Sequence, residues 1–169
     1  MAKPTLDSLD RRKPSWYAIY WGSASTGLAL SQAKSIEVTA SIEVSSAKRI
    51  GTDTAIKNKV SKEYTGQIAI YVDNDLAEVG EILGVSKPGS GGWLGSEVIQ
   101  LDVDAASVDV EAEAYDDEDG TTLLWVEKFT DLEITGYTRG VDADTGDPMI
   151  TFPFFCSNHT WEPEAGVGA

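Results

Sequence analysis

Residues 35–45 read SIEVTASIEVS, and this strict two-residue alternation suits one backbone conformation. Ile36, Val38, Ala40, Ile42 and Val44 fall on one side of an extended chain. Glu37, Thr39, Ser41 and Glu43 fall on the other. The pattern is that of a long β-strand with one apolar and one wet face. It recurs over 106–115 (ASVDVEAEAY), where Val108, Val110, Ala112 and Ala114 alternate with Asp109, Glu111 and Glu113. A third run, 64–72 (YTGQIAIYV), keeps Ile68, Ile70 and Val72 in step. The chain is rich in Val, Ile and Thr, whose branched Cβ suits a pleated surface. Further strands are expected at 15–21, 97–103, 122–138 (broken near Asp131) and 148–156.

The spacing predicts one helix over 75–83. Asp73, Asn74 and Asp75 offer an N-cap and Gly84 a stop. Leu76, Val79, Ile82 and Leu83 form a stripe able to cover a β core, while Glu78 and Glu81 keep the other face wet. Gly80 weakens this helix somewhat. Residues 86–96 (SKPGSGGWLGS) read as a loop, and 116–120 (DDEDG) and 139–147 (RGVDADTGD) as hairpin connections. The basic stretch 46–62 can extend its two flanking strands as a hairpin. No internal repeat or composition break marks a second domain. The expectation is a single domain over 1–169, mainly β: a two-sheet β-sandwich or open barrel with one flanking α-helix. Arms are expected at about 1–14 and 157–169.

Charge and chemistry narrow the function. The net charge is -15, split into +5 over residues 1–62 and -20 over 63–169. Phosphate binding needs clustered Lys and Arg, so free nucleic acid and anionic membranes are disfavoured partners. No stretch approaches the roughly 20 apolar residues of a membrane helix, and the N-terminus shows no apolar leader. One cysteine, Cys156, and one histidine, His159, leave no disulfide framework, no CxxC metal site and few routes to nucleophilic catalysis. Cys156 ends an apolar strand and reads as a buried thiol. The DADTGD run at 142–147 has Asp147 where a calcium loop needs Gly, and Pro153 where it needs Glu. Nothing singles out two of the 28 acids as a glycosidase pair. No catalytic set, cofactor motif or metal site is expected. Trp16, Trp21 and Trp125 fall in strands, whereas Trp93 and Trp161 suit contact with a partner chain.

The order of features from 36 to 84 is IEVTASIEV, a basic loop, YTGQIAIYV, then DNDLAEVGEILG. With the following GSGGWLGSEVIQL, a strand and an acidic hairpin, it resembles the major tail tube proteins of long-tailed bacteriophages, over roughly residues 30–155. The resemblance implies a structural virion protein, not an enzyme. Its copies would form hexameric rings stacked into a tube, assembled in the host cytoplasm and carried in the phage tail. Tape measure and terminator proteins would be further partners, and DNA would pass through the lumen without being specifically bound. Lys48, Arg49, Lys57, Lys59 and Lys62 would then make contacts between subunits. Asp109, Glu111 and Glu113 share one face of their strand, which points either to solvent or to the lumen; a tube favours the lumen. The rival expectation is a non-catalytic β-sandwich that binds carbohydrate or protein, as in a phage fibre or surface domain. An enzyme working with Asp or Glu alone is the third class.

Overall fold

The alternating runs all become antiparallel strands. A computed structural model describes residues 16–48, 55–72, 76–83, 99–101, 104–116 and 122–164. In chain order these form β1 (Trp16–Trp21), β2 (Leu28–Ala29), β3 (Ala33–Lys48), β4 (Ala55–Tyr71), α1 (Ala77–Leu83), β5 (Val108–Tyr115), β6 (Leu123–Ile134), β7 (Thr138–Val141), β8 (Pro148–Cys156) and β9 (Asn158–Pro163). The strands run in the order β2-β1-β5-β6-β8-β4-β3, with β7 beside β8 and β9 beside β6. No helix among the described residues is long and apolar enough to cross a membrane.

Two layers arise because β6 serves both. Its first part pairs with β5 and β9, while Glu133 and Ile134 pair with β8. Val110 faces Phe129 and Val108 faces Leu132, so Thr130 and Asp131 together oppose Asp109 in a bulge. Asp131 has φ 49°, a left-handed conformation that Asp tolerates better than most residues. Its amide donates to Asp109 Oδ1 (3.0 Å), and Ser157 Oγ donates to its Oδ2 (3.0 Å). The break expected near Asp131 is therefore a bend that carries one strand from layer to layer; the strand itself ends at Ile134.

Between the layers lies the core. Ile68, Ile70, Phe152 and Phe154 from β4 and β8 pack with Val110, Ala112, Phe129 and Leu132 from β5 and β6. Phe129 and Phe154 meet edge to face at 6.0 Å. Helix α1 adds Val79, Ile82 and Leu83 to this core. Leu76 lies before the helix and is 38% exposed, so the buried stripe has three members and not four. Glu78 is not simply solvated. It accepts from the Ser31 amide and hydroxyl (both 2.6 Å) and from the Gln32 amide (3.1 Å), which fastens α1 to the turn before β3. Leu83→Ala is expected to cost about 2–5 kcal/mol, the range for emptying a buried leucine site. A chemical-denaturation midpoint checks it, and an unchanged midpoint would mean the helix does not seal the core.

Other expectations shift. Residues 158–163, assigned to a C-terminal arm, form β9, an integral strand. Ile99, Gln100 and Leu101 are not in a strand, although one was expected over 97–103. Residues 138–141 pair with β8 as β7, which shortens the connecting turn to 142–147. The N-cap candidates 73–75, Gly84, the loop 86–96, Trp93 and the N-terminal arm 1–14 lie outside the described residues.

Candidate functional site

The β3–β4 pair runs well beyond the core. Strand β8 covers only Tyr64–Tyr71 of β4. Past that point residues 39–47 and 57–63 are exposed and form a two-stranded ribbon. The basic stretch does extend its flanking strands, as expected. A lone two-stranded ribbon is at best marginal in water, so its length asks for a covering partner.

A register shift decides which side chains share a face. Glu43 pairs with Ser61 but Val44 pairs with Lys59, leaving Val60 as an extra residue. Partners directly opposite point the same way. Ile42 with Lys62, Val44 with Lys59 and Ser46 with Lys57 therefore continue the face on which Ile36 and Val38 meet the core. Glu37, Glu43, Ser61 and Glu63 take the other face. There Ser61 Oγ donates to Glu43 Oε2 (3.1 Å) and Gln67 Nε2 to Glu37 Oε2 (3.0 Å). Ile42, Val44 and Val60 are 46%, 50% and 60% exposed. The structure thus gathers Lys57, Lys59 and Lys62 onto one apolar face. Lys48 ends β3, and Arg49 lies outside the described residues.

The acids of β5 sit on the other layer, away from these lysines. Val110, Ala112 and Ala114 are fully buried, and Asp109, Glu111 and Glu113 share the opposite face. Each has a task within the subunit. Asp109 holds the Asp131 bend, Glu111 Oε2 accepts from the Ala24 amide (2.7 Å), and Glu113 accepts from the Tyr115 hydroxyl. Burial, and then Glu113, push the Tyr115 hydroxyl well above the usual phenol range. Lys128 lies opposite Glu111 on the same face and pairs with Glu162 at 2.6 Å.

A second, partly exposed surface escaped the sequence reading. Tyr17, Trp125, Glu127 and Trp161 lie on the inner face of the β1–β5–β6–β9 layer, by their pairing with Ala114, Ala112 and one another. Tyr17 meets Trp125 edge-on at 6.3 Å, and Trp161 meets His159 at 4.2 Å. His159 is buried, stacked on Phe129 at 4.6 Å, with Nε2 3.2 Å from Glu127 Oε2. Tyr17, Ile19 and Glu127 also line a cavity of about 760 Å³, with Ala33 and Ile36 across from them. Trp161 is exposed, as suits partner contact.

The DADTGD turn proves to be a latch. Asp142 is buried and accepts from Lys34 Nζ, the Tyr71 hydroxyl (2.8 Å) and the Asp144 amide (2.8 Å). These donors hold its carboxyl well below the ordinary 3.8, the Lys34 bond contributing most. A depressed carboxyl contributes its full stability above its unfolded-state value and loses that contribution progressively as pH falls from there toward the lower folded-state value. The melting temperature of the wild type should therefore drop as pH falls through 3.8. Asp142→Asn should melt several degrees lower at neutral pH and lose less on acidification. Parallel melting curves for the two proteins would overturn the latch.

No protein-family model matches the chain, and no curated protein matches it in sequence. Solved structures do match. Over 95% of its length the chain resembles 99% of a chain from the extended-state sheath-tube complex of PVC, an extracellular contractile injection system, at TM-score 0.58 and 13% identity. A chain from the PVC sheath/tube terminator matches at TM-score 0.58 and 13% identity, covering 91% of this chain and 99% of that one. One from the anti-feeding prophage baseplate matches at 0.55 and 10%, covering 96% and 98%. At such identities the likeness is one of fold, a mainly β fold shared with chains of contractile injection systems.

Proposed function

We propose that this chain is a structural subunit whose copies form stacked hexameric rings of a phage tail tube, a conduit for DNA into the host. The observation that carries this reading is the β3–β4 ribbon, a long paired structure with an apolar, lysine-bearing face that its own subunit leaves bare. Lys48, Arg49, Lys57, Lys59 and Lys62 would hold neighbouring copies together, and closure into rings would cover free strand edges. Terminator and tape measure proteins would join the tube in the virion, after assembly in the host cytoplasm. The protein would act without catalysis.

Asp109, Glu111 and Glu113 would face the lumen. A basic wall would bind phosphates by counterion release and retard DNA, whereas an acidic wall keeps it moving. Because these acids also accept hydrogen bonds, the test variant is Asp109→Asn, Glu111→Gln and Glu113→Gln together, which retains an oxygen acceptor at each position. Tubes should form, but particles carrying them should deliver DNA more slowly, with the defect easing as salt rises. Normal delivery through normal tubes would place the acids on the outside. Sedimentation of the purified wild type tests assembly itself: polymer growing with concentration is expected, and a monomer or trimer at every concentration would favour a binding module.

A further inference from the structure

We propose that the cleft between the two layers, with Tyr17, Trp125 and Trp161 along one wall, binds a short, uncharged oligosaccharide. The site belongs to a single copy and does not depend on the tube reading. Three observations carry it.

The first is shape. Tyr17, Trp125 and Trp161 stand on the inner face of one layer, on β1, β6 and β9. Between β1 and β6, strand β5 presents only Ala112 and Ala114 beside them, so the rings rise above a low floor. Tyr17 and Trp161 are 45% and 61% exposed. Three strand spacings of about 4.8 Å separate β1 from β9, so the two rings stand on strands roughly 14 Å apart. Next to Tyr17 the surface deepens into the cavity of about 760 Å³, where Ala112 and Ile19 face Ile36 of the other layer. That volume falls within the range of small-molecule sites, about 300–1,000 Å³.

The second is chemistry. A sugar ring has an apolar face of C–H groups and an edge of hydroxyls, and the cleft offers a partner for each. The indole and phenol rings present flat apolar surface. Between them the Glu127 side chain, 17% exposed, is held in place by Trp125 Nε1, which donates to Oε1 (3.3 Å), and by His159 Nε2, 3.2 Å from Oε2. A carboxylate has about four lone-pair sites, so each oxygen can accept one further hydroxyl proton. Burial, and then Glu127, push the Tyr17 hydroxyl above the usual phenol range, which keeps it a neutral donor. The third is charge. Among the described residues Lys34 is the one Lys or Arg lining the cavity, and its ammonium is bound by Asp142. No free cation is left there to hold a phosphate, a sulfate or a uronic acid, so the ligand is an uncharged sugar.

Calorimetric titration tests the site with four trisaccharides. Cellotriose and the N-acetylglucosamine trimer are the uncharged probes, the galacturonic acid trimer the anion and the glucosamine trimer the cation. At least one uncharged trimer should bind saturably, and neither charged one should bind more tightly. Trp161→Ala and Tyr17→Ala should each weaken that binding about tenfold, the size of one lost aromatic contact. Trp161→Tyr, which keeps a ring, should retain most of it. Phe155→Ala, which removes an exposed ring from the outer face of β8, should bind like the wild type. Thermal melting verifies that each variant is folded, and Trp161→Ala, at the more exposed position, decides alone should Tyr17→Ala fail to fold. No binding of either uncharged trimer, tighter binding of a charged one, or full binding by folded Trp161→Ala overturns the site. None of these results touches the tube reading, which sedimentation of the unliganded protein decides.

Discussion

Reversing Lys57, Lys59 and Lys62 to Glu together should abolish polymerisation while leaving a folded monomer. All three side chains are exposed and none is part of the core, so the subunit itself should melt close to the wild type. Their combined effect on assembly should be large, because the Val60 bulge puts them on one face. Three cations there become three anions, facing a neighbour whose residues 63–169 already carry -20. Like charges set against each other in an interface cost several kcal/mol. Reversing Glu43 and Glu63 to Lys is the control. Those acids lie on the opposite face, and the change should weaken assembly far less. Sedimentation at low and high salt reads both variants. Normal polymerisation of the lysine variant at every salt concentration would reduce the ribbon to solvated surface.

Gly66→Val should prevent the subunit from folding. Gly66 lies in β4 between Val38 of β3 and Phe154 of β8. A Cβ there would sit 2.0 Å from the Glu37 carbonyl oxygen and 2.6 Å from Phe154 Cζ. A ring end can swing aside, but a strand carbonyl moves only if β3 moves with it. Overpacking a well-packed core by a few methylenes costs about 1–3 kcal/mol and occasionally more. Here the obstruction is backbone, and the added methyls of Val enlarge it, so the cost should exceed that range. The variant should be lost from the soluble fraction. Soluble expression with a cooperative melt near that of the wild type would show that β3 and β4 tolerate separation at this point.

Strands whose partners bury one face announce themselves, and β3, β4, β5 and β8 all fall within two residues of an expected boundary at the core end. Helix α1 was visible for the same reason, through Val79, Ile82 and Leu83. Beyond periodicity the sequence is silent. Strand β9 (NHTWEP) has no apolar alternation and exists because β6 offers it an edge. In a regular strand, Lys57 and Lys59 would face away from Lys62; only the bulge at Val60 unites them, and nothing nearby in sequence marks it. Glu78 and Asp142 looked like solvated acids because the groups they bind, Ser31 and Lys34, are distant along the chain. The aromatic inner face of the β1–β5–β6–β9 layer was hidden similarly. Tyr17, Glu127 and Trp161 come from three strands that sequence order does not place side by side.

Electron microscopy of the purified, concentrated protein tests the central claim most directly. A self-assembling tube subunit should give hollow rods, with end views showing six-fold rings around an open lumen. Separate globules without a lumen, at every concentration and salt, would contradict it.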